Sequence, residues 1–134
     1  MCKLIVLDDD QIQHLIIKRM LANYEQLNDT IYSTNGYTIL DFLKLHKTDE
    51  STLPEILLMD LHMPKLNGWE FLDHLKILYP QLIKPIKVYI ISSSIDPKDI
   101  RRCYKYPFIK SYLVKPVTRE ALNPIMKNIT KLIN

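Results

Sequence analysis

Residues 56–72 read ILLMDLHMPKLNGWEFL: the apolar run Ile56-Leu57-Leu58-Met59 stops on a carboxylate at Asp60, and a proline-containing polar stretch leads into Phe71 and Leu72. Consecutive rather than alternating apolar residues are what a strand needs when both faces of its sheet are covered, as in parallel sheets. The pattern recurs on either side. Leu4-Ile5-Val6-Leu7 precedes Asp8-Asp9-Asp10, Val88-Tyr89-Ile90-Ile91 precedes Ser92, and Tyr112-Leu113-Val114 precedes Lys115. A weaker strand is expected at Ile31-Tyr32-Ser33. Between the runs, Ile12, Leu15, Ile16, Met20 and Tyr24 share a helical face, as do Phe71, Leu72, Leu75 and Leu78, and then Leu122, Ile125, Met126, Ile129 and Ile133. Weaker helices are expected near residues 36–46 and 97–105. Asp96 with Pro97, and Asn67 with Glu70, have the spacing of helix starts.

Five β-α units in 134 residues, joined by right-handed crossovers, give one α/β domain over residues 1–134: a doubly wound parallel sheet of five strands with helices on both faces. The expected strand order is 2-1-3-4-5. It puts a topological switch point between the first and third strands, and ligands bind outside the carboxyl ends of strands at such points. Residues 47–54 read as a polar loop.

Composition narrows the function. Two glycines cannot build a dinucleotide-binding or P-loop motif. A net charge of +3 is too small to argue for nucleic acid or anionic lipid. The start, MCKLIVLDDD, has neither a secretory apolar region nor a membrane span, so a cytoplasmic location is expected. Cys2 and Cys103 form no metal-binding spacing and read as free thiols.

The strand ends carry the chemistry. In the expected sheet, Asp8, Asp9, Asp10, Asp60, Ser92 and Lys115 converge on one edge. Carboxylates so close repel one another unless a cation compensates, and Mg²⁺, a hard ion with oxygen ligands, is the natural partner. Lys115 and Ser92 would face anionic oxygens on the same bound group. Helix capping accounts for some of Asp8 to Asp10. It does not account for Asp60, which Leu61-His62-Met63-Pro64 follows, or for a Ser and a Lys at the other two ends.

With these residues in view, the chain resembles the receiver domain of bacterial two-component response regulators, a flavodoxin-like (βα)5 domain, and in particular the stand-alone chemotaxis regulator. LIVLDDD, ILLMDLHMPKLNGWEFL, VYIISSS and YLVKPV match in order and spacing. The resemblance implies that Asp60 accepts a phosphoryl group from a sensor histidine kinase or a histidine phosphotransfer protein. It implies Mg²⁺ on Asp8, Asp9, Asp60 and the backbone carbonyl of His62, with Lys115 binding a phosphoryl oxygen. Ser92, in place of the commoner Thr, and Tyr112 would be the switch pair. It further implies a cis Lys115-Pro116 bond, a loop role for Gly68, and tuning of dephosphorylation by His62 and Ser94. Trp69 reads as packing.

Two departures from the pattern carry expectations. Tyr106-Pro107-Phe108-Ile109 replaces the usual small residues, so the end of the fourth helix should differ. Pro124 falls inside the last helix and predicts a bent or offset start, with Asn123-Pro124 as a possible restart.

Arg101, Arg102 and Lys105 read as a solvated face rather than a nucleic-acid surface. The resemblance adds a use for them, with Tyr112, as a face for an unknown downstream protein or a phosphorylation-linked dimer. The sequence reaches Asn134 directly after the last predicted helix, and no output domain is expected. Such a chain would be a signalling domain that catalyses only its own phosphorylation and dephosphorylation.

Two rival readings use the same residues. Asp8-Asp9-Asp10-Gln11-Ile12 partly fits the nucleophile motif of haloacid-dehalogenase-like phosphatases, which would leave Asp60 without a job. A degenerate receiver would bind partners without phosphorylation.

Overall fold

A computed structural model describes the backbone of residues 3–133 and, apart from positions 128 and 130–133, their side chains. Cys2 and the Ile133 side chain lie outside it. The elements alternate: β1 (Leu4–Leu7), α1 (Gln11–Met20), β2 (Ile31–Ser33), α2 (Gly36–Leu45), β3 (Ile56–Asp60), α3 (Gly68–Leu78), β4 (Lys87–Ser92), α4 (Pro97–Cys103), β5 (Ile109–Val114) and α5 (Arg119–Ile133). All strand pairs are parallel and the order is β2-β1-β3-β4-β5, as expected.

Because successive strand residues point to opposite faces, each central strand feeds two cores. Ile5, Leu7, Leu57, Met59, Val88 and Ile90 face the layer formed by α2, α3 and α4, where Leu40, Leu43, Phe71, Leu72 and Leu75 meet them. Leu4, Val6, Ile56, Leu58 and Ile91 face α1 and α5, against Ile17, Leu122, Met126 and Ile129. Helix starts are fixed by side chains that satisfy free amides: Asp10 Oδ1 accepts from Ile12 N and Asn67 Oδ1 from Glu70 N, both at 2.9 Å. Asp96 Oδ1 likewise accepts from Lys98 N at 2.9 Å, with Pro97 opening α4.

Several expectations are corrected. In α1 it is Gln13 and Ile17 that are buried, whereas Ile12 is 67% exposed and Leu15 59%. Apolar residues ring most of this helix, so periodicity alone left its rotation open. The 47–54 loop is not merely polar, since Leu53 is fully buried in the core. Strand β5 begins at Ile109 and is only half-buried at Tyr112 and Leu113, because it lies at the sheet edge. Helix α4 stops at Cys103, which leaves Lys105 in a turn.

Helix α5 starts at Arg119 and runs through Pro124 without an offset or a restart. Thr118 caps it, with its Oγ1 accepting from Ala121 N at 3.2 Å. Proline there removes only the bond that would satisfy the Glu120 carbonyl, on an exposed residue near the helix start. Among the described residues no helix is long and apolar enough to cross a membrane.

Candidate functional site

The sheet register assembles the strand ends. Leu7 pairs with Met59, Met59 with Ile90 and Ile90 with Tyr112, so the residues that follow each of them share one edge. Asp60 pairs with Ile91, one position before Ser92, and Lys115 N–H donates to the Ser92 carbonyl at 2.8 Å. Asp8 and Asp60 are buried and Asp9 is exposed. One carboxylate oxygen from each of the three lies within 4.8 Å of the others.

Lys115 Nζ bridges this cluster, 3.0 Å from Asp8 Oδ2 and 3.2 Å from Asp60 Oδ2. The remaining oxygens are held by backbone: Asp8 Oδ1 accepts from Asp10 N at 2.9 Å and Asp60 Oδ1 from His62 N at 3.2 Å. Burial raises the Asp8 pKa above its ordinary value, outweighing the opposing pull of the Asp10 N–H and of Lys115, and the Asp60 charge adds to the rise. Burial works to lower Lys115, but its bond to Asp8 and the charges of Asp60 and Asp8 hold its pKa above the usual lysine value.

Three carboxylates face one ammonium. Asp8 Oδ2 is buried, and among the described residues its partner is the Lys115 ammonium. The charge left over, the hard oxygen donors and the exposed Asp9 on the open side fit a divalent cation of the magnesium type. A cleft of about 270 Å³ opens beside Asp9, lined also by Asn35, Met63 and Lys65.

The loop after Asp60 is held against the start of α3. Gly68 N–H donates to the Leu61 carbonyl at 2.7 Å, and a Cβ on Gly68 would stand 2.5 Å from Leu61 Cα. Only glycine permits this approach, as a loop role for Gly68 anticipates. His62 is exposed beyond it. The Lys115-Pro116 bond is cis.

Ser92 is fully buried, and its Oγ accepts from Ser94 N at 3.1 Å. Ser94 is a junction. Its Oγ donates to Asp99 Oδ2 at 2.8 Å and accepts from Asp96 N at 3.2 Å, while its carbonyl accepts from the Tyr112 hydroxyl at 2.8 Å. Sequence reading passed over Asp99. Its place three residues after the Asp96 cap, where a capping box puts its acid, was the available signal.

Arg101, Arg102 and Lys105 are exposed, but Arg102 is not idle: its guanidinium lies 4.1 Å from the centre of the Trp69 ring. Trp69, half-buried against the core, packs as expected. The buried Tyr106 donates from its hydroxyl to Asp73 Oδ1 at 2.6 Å, a tie between α3 and the approach to β5 that sequence reading did not find.

Comparison with known proteins agrees with this geometry. The family model for the response regulator receiver domain matches residues 4–127. The "Probable methanogenesis regulatory protein FilR2" of Methanothrix harundinacea is 28% identical over 126 residues, covering 94% of this chain and 79% of that protein. An uncharacterized response regulatory protein of Staphylococcus epidermidis is 31% identical over 127 residues, 94% of this chain but 45% of that one. A crystal structure of a two-component response regulator from Cytophaga hutchinsonii superposes with a TM-score of 0.81 at 25% identity, covering 96% of each chain.

Proposed function

The chain belongs to the response regulator receiver domain family, and from that premise we propose that Asp60 is its phosphoacceptor, in an Mg²⁺-dependent reaction with a phosphohistidine on a sensor kinase or phosphotransfer protein. The observation that carries this reading is Lys115 bridging buried Asp8 and Asp60 at 3.0 and 3.2 Å, beside an Asp9 open to solvent.

Asp60 attacks the donor phosphorus as the P–N bond breaks, the electron pair leaves with the imidazole, and an acyl phosphate forms on Asp60. Transfer of this kind needs in-line placement and charge neutralisation more than covalent help. Asp8, Asp9, Asp60 and the His62 carbonyl would hold the cation, which when bound neutralises charge on the transferring oxygens. Lys115 supplies a second positive charge, and the Ser92 hydroxyl turns from Ser94 N toward the new oxygens. That turn loosens the Ser94 junction and with it the hold of Tyr112 on the loop, which alters the face formed by Arg101, Arg102, Lys105 and Tyr112 toward its downstream protein or a second copy. His62 and Ser94, each two positions beyond a site residue, tune the lifetime of the modified state.

The exposed Ile12, Leu15 and Ile16, on the helix that leaves the acidic rim, suit an apolar contact with the phosphodonor. We read it as a receiver module working in the cytoplasm as a regulator, a relay intermediate or a sink for phosphoryl groups.

The test is incorporation of label from acetyl phosphate with and without Mg²⁺, followed by mapping of the modified residue. Incorporation should require Mg²⁺ and vanish in Asp60→Asn. Label on Asp8 would instead indicate the phosphatase-like chemistry. No incorporation at all would indicate a receiver that binds without being phosphorylated.

A further inference from the structure

At the amino end of the sheet, opposite the acidic rim, a cleft of about 460 Å³ lies between the end of α3 and the approach to β5. Its aromatic wall is a stacked pair, Tyr79 and Phe108, with ring centres 4.8 Å apart and planes inclined by 21°. Tyr79 cannot swing freely, because its hydroxyl accepts from Ile86 N at 2.9 Å and donates to Ile86 O at 3.0 Å. Pro80, Pro85 and Pro107 complete the apolar lining. Proline fixes its own backbone torsion, so these walls are formed in advance.

The rim is cationic. Lys76, Lys87 and Lys110 border the cleft, no carboxylate lines it, and none of the three makes an ion pair among the described residues. Glu55, whose carbonyl accepts the Lys87 N–H, has its carboxylate engaged by Lys84 at 2.9 Å. Lys110 is placed by a bulge. Val88 pairs with Ile109 and Tyr89 with Ser111, which leaves Lys110 as the extra residue of an edge strand. Bulges re-aim a side chain in this way.

We propose that this cleft binds a small planar organic anion, its apolar ring system against Tyr79 and Phe108 and its acid group among the three lysines. The volume falls in the range of small-molecule pockets, about 300–1,000 Å³. The unpaired positive charge selects an anion over a neutral compound of the same shape. The cleft uses none of the residues of the phosphoacceptor site, so this inference stands or falls apart from that reading.

The test is a fluorescence titration of the full chain with 8-anilinonaphthalene-1-sulfonate and with the uncharged N-phenyl-1-naphthylamine, backed by amide chemical shifts. The sulfonate should bind saturably at one site, at least tenfold more tightly than the neutral probe, and shift the amides of Phe108 and Lys110. Lys87→Glu combined with Lys110→Glu, both exposed positions, should weaken the sulfonate about tenfold while leaving circular dichroism and the unfolding temperature unchanged; Asp60→Asn should not alter binding. Equal affinity for the two probes, or shifts confined to the exposed face of α1, would overturn the proposal.

Discussion

The Tyr112 hydroxyl donates to the Ser94 carbonyl at 2.8 Å, tying the edge strand β5 to the loop that leaves β4 two residues beyond buried Ser92. One serine, Ser94, thus joins buried Ser92 at the rim to the β5 surface. The tie should be measurable. Tyr112→Phe removes a hydrogen bond of about 1 kcal/mol, so amide hydrogen exchange across residues 93–96 should rise about fivefold, with Mg²⁺-dependent labelling of Asp60 retained. Unchanged exchange would mean that the loop does not depend on Tyr112.

Asp8 sets a pH dependence. Its pKa is raised by burial, so the folded protein holds that proton to higher pH than the unfolded chain does. Without metal, the contribution is present below the ordinary aspartate value and lost as pH rises through the raised one. Asp8→Asn should therefore raise the unfolding temperature of the metal-free protein at neutral pH and flatten its dependence on acid pH. Mg²⁺ should stabilise the wild type increasingly as Asp8 ionises, and stabilise the variant much less. Thermal unfolding from pH 4 to 8, with and without Mg²⁺, checks both; a variant less stable than wild type throughout would contradict the account.

Gly68 tests the link between packing and chemistry. Gly68→Ala drives a methyl group into the Leu61 backbone, with its nearest atom at 2.5 Å. Overpacking of this kind costs about 1–3 kcal/mol. Denaturant unfolding should show that loss, and labelling of Asp60 should slow because the displaced backbone is its own neighbour.

Tyr106 has an alkaline signature. Burial, together with its bond to Asp73, pushes the phenol up to about 12, so the stability it contributes is lost as pH rises from about 10 through that value. Tyr106→Phe should lower stability at neutral pH by about 1–2 kcal/mol while removing this part of the alkaline loss. Unfolding midpoints at pH 7 and pH 11 separate the two effects.

The strand ends were legible because an apolar run that stops on Asp8, Asp60, Ser92 or Lys115 marks both the strand and what it delivers, and the parallel order then fixes which ends meet. The rotation of α1 was not legible, since apolar residues at 12, 15, 16, 17, 20 and 21 leave no single stripe to choose. The tie between Tyr106 and Asp73 spans 33 positions and joins two polar groups that no local pattern pairs. Pro124 did not offset the helix start, because the carbonyl it frees, that of Glu120, lies near an exposed helix end rather than deep in the helix.

Helix α4 buries only Cys103 of its seven residues, and two contacts of its own polar side chains moor it: Asp99 to Ser94, and Arg102 over Trp69. An element moored by polar tethers rather than sunk in the interior can be released piecemeal, at far less cost than melting its neighbours. The chain thus sets an anvil of strand ends beside a shutter on two latches, and Ser92 lies one hydrogen bond from the first of them.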